Sequence, residues 1–316
     1  MFRRLILVLL VIFLFPSKSF AVWVWTPETN QWINPKWAVR DTPAEQLSFA
    51  LEFFNGQEYK EAIRELQKLL KHYPKAREAA EAQFYIGKCY EGLGDLYKAY
   101  QEYQLVIDKY PYSNLSADVI KKQFELAERM IEGEGQRNEF IGAIVGGSDK
   151  VVEVLESVIR NAPYNELAPK AQYKIGLYLL EHSLYQESRD AFQKVINDYP
   201  ESELAKAAEY QIALADSHRS AGAAYDQEVT QIAVDGFKEF VAKNPDAELS
   251  AKAKEKIFEL REKEAENNFI IAKFYEKQKN FKAAKLYYQI IVDDFRDTSW
   301  SKKALEKIRE VSTKEK

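Results

Sequence analysis

From Thr42 onward, apolar residues recur at three- and four-residue intervals, the spacing of one helix face, in stretches separated by short breaks. The clearest pair of stretches is Ala80–Pro111, AEAQFYIGKCYEGLGDLYKAYQEYQLVIDKYP, in which two amphipathic segments flank Gly92-Leu93-Gly94-Asp95. Counted from Ala80 as position 1, Gly87 stands at 8, Tyr90 at 11, Ala99 at 20, Tyr103 at 24 and Pro111 at 32. Small residues at 8 and 20 let two helices cross closely, and the aromatics fill the space beside the crossing. Proline then ends the second helix. A hairpin of this kind leaves an apolar face open, so it predicts neighbours.

The same closing position recurs at Pro74, Pro111, Pro163, Pro200 and Pro245, with Arg296 at the sixth equivalent place. The spacings are 37, 52, 37, 45 and 51, which makes 37 the basic period and the longer gaps insertions. A small residue stands five places after each closing position, and Ala82, Ala171, Ala208, Ala253 and Ala304 stand eight after, with Val119 the exception. The expected fold is all-α: a right-handed solenoid of about six helical hairpins over residues 43–312, with Ser301–Val311 as a C-terminal capping helix. Ser250–Lys277 contains no breaker and predicts one long helix of seven turns or more. The insertion in the third hairpin, about residues 132–150, is rich in glycine around an apolar centre, and its Phe140, Ile141 and Ile144 are a candidate contact loop.

The spacing of glycine, tyrosine, alanine and proline resembles the tetratricopeptide (TPR) consensus. The 37-residue period, with Pro-x-Ser-x-x-Ala-x-x-Ala at Pro200–Ala208, resembles the TPR arrays of bacterial envelope proteins, above all the BamD-type outer-membrane assembly family. That resemblance covers roughly residues 44–312. It rests on the opening hairpin with Gly56, Tyr59, Ala62, Leu66 and Pro74, on the glycine-rich loop, and on the long helix leading to Ala272, Phe281 and Ala284. It implies a non-catalytic periplasmic scaffold that binds other proteins, an outer-membrane assembly complex and client peptides among them. The alternative from another class is a general envelope adaptor, associated with the cell wall or cell division.

In such arrays the first helix of each hairpin lines a concave groove through positions 2, 5, 9 and 12. Here those positions supply Phe84, Lys88 and Glu91, then Tyr173 and Leu177, then Tyr210, while Leu47, Leu51 and Phe54 form one apolar face on the first helix. These side chains either line an open groove or are buried between neighbouring hairpins. The segment 22–42 carries Trp23, Trp25, Trp32 and Trp37 and predicts a short hairpin, either a cap on the first helices or a partner-binding arm.

Residues 1–21 have the pattern of a signal peptide: Arg3 and Arg4, an apolar run over Leu5–Phe15, and small residues before Val22. Export to the periplasm, with peripheral association at the outer membrane, is the expectation. An uncleaved anchor is the alternative, and the mature chain is expected to hold no membrane span. The single cysteine, Cys89, lies far beyond the leader, so no cysteine there can carry a lipid. Removing Arg3, Arg4 and Lys18 takes the net charge from −4 to −7, which argues against nucleic acid as a partner. His72, His182 and His218 are far apart, and no cofactor, metal site or catalytic constellation is expected.

Overall fold

The computed structural model describes residues Val24–Thr26, Gln31–Ile33, 38–135, 147–222 and 227–314. Residues 1–21, most of the segment 27–37 and the contact loop around Phe140, Ile141 and Ile144 lie outside them. Two compact units divide at residues 119 and 120, inside one helix.

The first unit opens with a two-stranded antiparallel ribbon, β1 (Val24–Thr26) and β2 (Gln31–Ile33), whose register pairs Trp25 with Trp32 along the backbone. Two hairpins follow: α1 (Pro43–Asn55) with α2 (Tyr59–His72), and α3 (Glu78–Gly92) with α4 (Leu96–Lys109). Thr42 starts α1 as an N-cap, its hydroxyl accepting from the Glu45 amide at 3.2 Å, with Pro43 in the first turn. Gly87 lies where α3 meets α4, and a Cβ there would stand 2.6 Å from the Tyr103 ring. Leu66 and Leu69 of α2 form one core with Ala82, Ile86 and Cys89 of α3.

The boundary falls within α5 (Ser116–Gly135), whose partner in the second unit is α6 (Gly147–Asn161). Three further hairpins follow in that unit: α7 (Leu167–Glu181) with α8 (Tyr185–Asp198), α9 (Glu203–Gly222) with α10 (Gln227–Lys243), and α11 (Glu248–Lys277) with α12 (Phe281–Asp294). Helix α13 (Ser299–Lys314) closes the chain. The fold is the all-helical TPR-like repeat that the spacing predicts, six hairpins and a final helix among the described residues. The unbroken run before the sixth hairpin is the 30-residue helix α11.

Each described turn inside a hairpin, in the first, second, fourth and sixth, holds one residue in the left-handed region. Gly94 supplies it at φ 79°, while Gln57, Ser183 and Lys279 occupy the equivalent place at φ 61°, 61° and 58°. A second repeated device is a buried glutamine at position 4. The side-chain amides of Gln46, Gln83 and Gln172 donate to the carbonyls of Glu65, Glu102 and Ala191, each 19 residues on, at 3.0, 3.2 and 3.0 Å. Each fixes the first helix of a hairpin to the backbone of the second.

Candidate functional site

In the first unit the expected groove residues separate into two layers. Leu47 is buried in the core with Leu66, so it is withdrawn from any open surface: position 5 of the first helix points at the second helix. Leu51 and Phe54 are half-buried against that core. Phe54 meets Tyr85 edge-on at 5.0 Å and Tyr59 at 5.9 Å. The Lys88 ammonium stands over three rings, 4.6 Å from the centre of Tyr85, 5.2 Å from Phe54 and 5.9 Å from Phe84. Phe84 packs on Tyr103 at 5.2 Å, and the Tyr103 hydroxyl donates to the Glu91 carboxylate. Phe54, Phe84, Lys88 and Glu91 are therefore together on one face, with Tyr85 as a member that the groove positions did not include. Its signal was the i,i+3 relation to Lys88.

In the second unit Tyr210 is buried among Phe237 and Phe240, at 5.5 and 5.7 Å, and it too is withdrawn from the groove. Tyr173 is half-buried, edge-on to Phe192 at 5.2 Å, and its hydroxyl accepts from the Gln211 side chain at 3.1 Å. Burial raises the pKa of the Tyr173 phenol, and the hydrogen bond from Gln211 partly offsets it. Leu177 alone of these three is open, at 37% exposure. Each ring of the position-5 row rests on an aromatic of the second helix, with Tyr210 buried and Phe84 and Tyr173 half-buried.

Of the arm, Trp23 and Trp37 lie outside the described residues, Trp25 sits on β1, and Trp32 on β2 is 61% exposed. The base of the arm docks firmly on the first hairpin. Tyr73 donates from its hydroxyl to the carbonyls of Arg40 and Asp41 at 2.8 and 3.1 Å. The Arg40 amide donates to Gln46 Oε1 at 2.9 Å, and the Arg40 guanidinium lies 4.1 Å from the Phe49 ring centre.

Chemistry elsewhere is structural. Burial pushes the Cys89 thiol up to about 12 despite the nearby Lys88 charge, so it stays protonated at neutral pH and is no nucleophile. His218 stacks on Tyr185 at 5.4 Å, and His182 Nδ1 lies 2.8 Å from the Tyr178 carbonyl in its own helix. Among the described residues no group of three His, Cys, Asp or Glu side chains could hold a metal ion, and no helix is long and apolar enough to cross a membrane.

The end of the second unit is held by a clamp that the sequence pattern did not reveal. Arg261 pairs with Asp297 through two hydrogen bonds and donates to the Asp294 carbonyl at 2.8 Å. Glu262 receives the Ser299 amide and hydroxyl, at 2.5 and 2.8 Å, and so caps α13. A family profile described as "Outer membrane lipoprotein" matches residues 213–314, the part that contains this clamp and α11. Tetratricopeptide-repeat profiles match residues 47–114 and 170–202. The chain carries tetratricopeptide repeats in these segments and resembles the BamD-type family.

A curated relative, the outer membrane protein assembly factor BamD of Rickettsia prowazekii (strain Madrid E), is 26% identical over 161 residues, 51% of this chain. The match spans 64% of that relative's length. Among solved structures, the C-terminal part of a TPR repeat-containing protein of Cytophaga hutchinsonii overlaps 84% of this chain and 88% of its own. Its identity is 16% and its TM-score 0.37. MamA of Desulfovibrio magneticus RS-1, residues 41 to the end, overlaps 66% of this chain and 99% of its own, with 16% identity and a TM-score of 0.32. Repeats of this kind make the chain a protein-interaction scaffold, a fold that is generally non-enzymatic.

Proposed function

We propose that the chain is a non-catalytic scaffold of the cell envelope, exported to the periplasm and peripheral to the outer membrane, that works in the assembly of outer-membrane β-barrel proteins. The observation that carries this reading is the outer-membrane lipoprotein profile over 213–314, the region of the long helix and the Arg261–Asp297 clamp. The face of the first unit built by Phe54, Phe84, Tyr85 and Lys88 is the proposed client contact. Half-buried aromatic rings with one ammonium above them offer apolar area and a single charge to an extended or helical peptide.

The test is purification of the tagged full chain from envelopes of the cells that make it. Co-purification of a barrel-assembly core supports the reading. Recovery of peptidoglycan enzymes without that core overturns it and favours the general envelope adaptor.

A further inference from the structure

The junctions between hairpins follow one rule. Counting position 1 as the sixth residue after each closing position, position 3 holds Ala82, Val119, Ala171, Ala208, Ala253 and Ala304, and all are buried. Position 10 holds Cys89, Leu126, Tyr178, Ala215, Leu260 and Val311, and all are buried too. These residues seat the helix that precedes them. Cys89 lies in one core with Leu66 and Leu69 of α2, Leu260 with Phe237 and Phe240 of α10, and Val311 with Tyr288 and Ile291 of α12.

In the sixth hairpin this register occurs twice on one helix. The residues of α11 that meet α12 are Ala265, Phe269 and Ala272, equivalent to positions 1, 5 and 8. They count from Ala265, whereas the seat for α10 counts from Ala251, 14 residues earlier. Fourteen residues are about 3.9 turns and about 21 Å of helix. The second count therefore falls on nearly the same side of α11, displaced toward its C-terminus, with the half-buried Asn267 where the other junctions have a small buried residue. Its position 10 is Phe274, 56% exposed, and its position 6 is Ile270, 58% exposed. Phe274 meets the ring of its neighbour Tyr275 edge-on at 5.6 Å. Position 10 is buried at every other junction and open here.

We propose that the α11 face at Ile270 and Phe274 takes an amphipathic α-helix with acidic flanks from a partner polypeptide. The helix is argued from the other junctions, where the same register seats a helix. The acidic flank is argued from charge: Lys273 and Lys277 are exposed, three residues after Ile270 and Phe274 respectively, on the rim of that face, where the exposed Glu266, four residues before Ile270, is the one opposing charge at that spacing. The face continues the surface that α10 covers at Ala253 and Leu260, so an incoming helix would extend an interface the chain already builds. This inference holds whichever assembly the chain serves.

The probe is a labelled peptide with the α10 sequence, residues 227–243, carrying Lys238→Glu and Lys243→Glu, titrated into the full chain by fluorescence anisotropy. Saturable binding is expected, at least tenfold weaker with Phe274→Asp, weaker with the pair Lys273→Glu and Lys277→Glu, weaker in added salt, and unchanged with Phe258→Asp. No binding to the unaltered chain, or binding indifferent to Phe274→Asp, overturns the proposal. So does a dimer of the unaltered chain that Phe274→Asp converts to a monomer, because a second copy is then the occupant. A lower melting temperature for Phe274→Asp also overturns it, since the face is then covered by the chain itself.

Discussion

Gly87→Ala is the most direct test of the repeat register, because it sets two known effects against each other. In a helix, alanine is favoured over glycine by about 1 kcal/mol. Against that, the new Cβ would lie 2.6 Å from two atoms of the Tyr103 ring. Tyr103 is fully buried and its hydroxyl is bound to Glu91, so the ring has little room to withdraw. Overpacking of this kind costs about 1–3 kcal/mol, leaving a net loss of up to about 2 kcal/mol after the helical gain. Gly133→Ala is the internal control. It is exposed on α5, a Cβ there meets nothing within 4 Å, and the substitution should stabilise by up to about 1 kcal/mol.

The two variants should differ by about 1–3 kcal/mol, which is the packing cost itself. Urea slopes of about 1–3 kcal/mol/M turn a difference of that size into a midpoint shift on the order of 1 M. Far-UV circular dichroism reads the midpoints, and hydrogen exchange in α3 and α4 locates the Gly87→Ala loss. Adding Tyr103→Leu to Gly87→Ala should recover part of it. Shifts of the same sign and size at both glycines would show that Gly87 does not face the ring.

Four further outcomes are expected. Lys279→Gly should raise stability by about 1 kcal/mol, since Lys279 holds a left-handed conformation that glycine adopts freely, and an unchanged urea midpoint would contradict this. Burial raises the pKa of the Glu264 carboxyl, against the charges of Arg261 and Lys238 and with that of Asp235, so its stabilising contribution is present below its unfolded value and lost as pH rises through the folded one. Glu264→Gln should therefore stabilise at pH 7 and be neutral below about pH 4, and melting curves that shift equally at both pH values would refute it. Cys89 should resist iodoacetamide in the native state and react only as the first unit opens; rapid modification without denaturant would place it at the surface. Deleting residues 22–37 should leave the melting temperature unchanged, while deleting 22–41 should cost about 1–3 kcal/mol because Gln46 Oε1 loses the Arg40 amide; a large loss from the shorter deletion would make the ribbon a cap.

The hairpins were legible because their signals repeat. Gly87, Ala99, Tyr103 and Pro111 each mark a crossing or a stop, and one period carries them along the chain. The recurring Gln46, Gln83 and Gln172 share position 4 as regularly, but a glutamine on a helix reads as solvated until its 19-residue partner is seen. The groove was legible only in part. The pattern leaves position 5 either lining a groove or buried between hairpins; Leu47 and Tyr210 are buried, because that position aims at the second helix of the same hairpin. Arg261 and Asp297 lie 36 residues apart and belong to no repeated pattern, so their pairing emerges only from the packing of α11 against the turn before α13.

Where an insertion falls decides what it does to a repeat array. The gaps of 52 and 45 residues exceed the period of 37 by 15 and 8, and both extra lengths fall in hairpins whose A–B connection crosses undescribed residues, 136–146 and 223–226. Part of each extra length extends the first helix, α5 and α9 being 20 residues each against 15 in α3 and α7, yet the junction residues Val119 and Leu126, and Ala208 and Ala215, stay buried. The 14 extra residues of the sixth hairpin fall inside α11, where no turn absorbs them. A continuous helix must then carry the seat for the preceding helix and the seat for its own partner at different heights, about 21 Å apart. Each seat has a complement that is left uncovered. Phe258, at position 8 of the first register, is 48% exposed, whereas Gly87 and Gly176 at that position lie against rings. Phe274, at position 10 of the second, is open where Leu260 is buried. The long helix thus carries two exposed aromatic side chains, Phe258 and Phe274, while Ala253 and Leu260 stay in the core with α10 and Ala265, Phe269 and Ala272 in the core with α12.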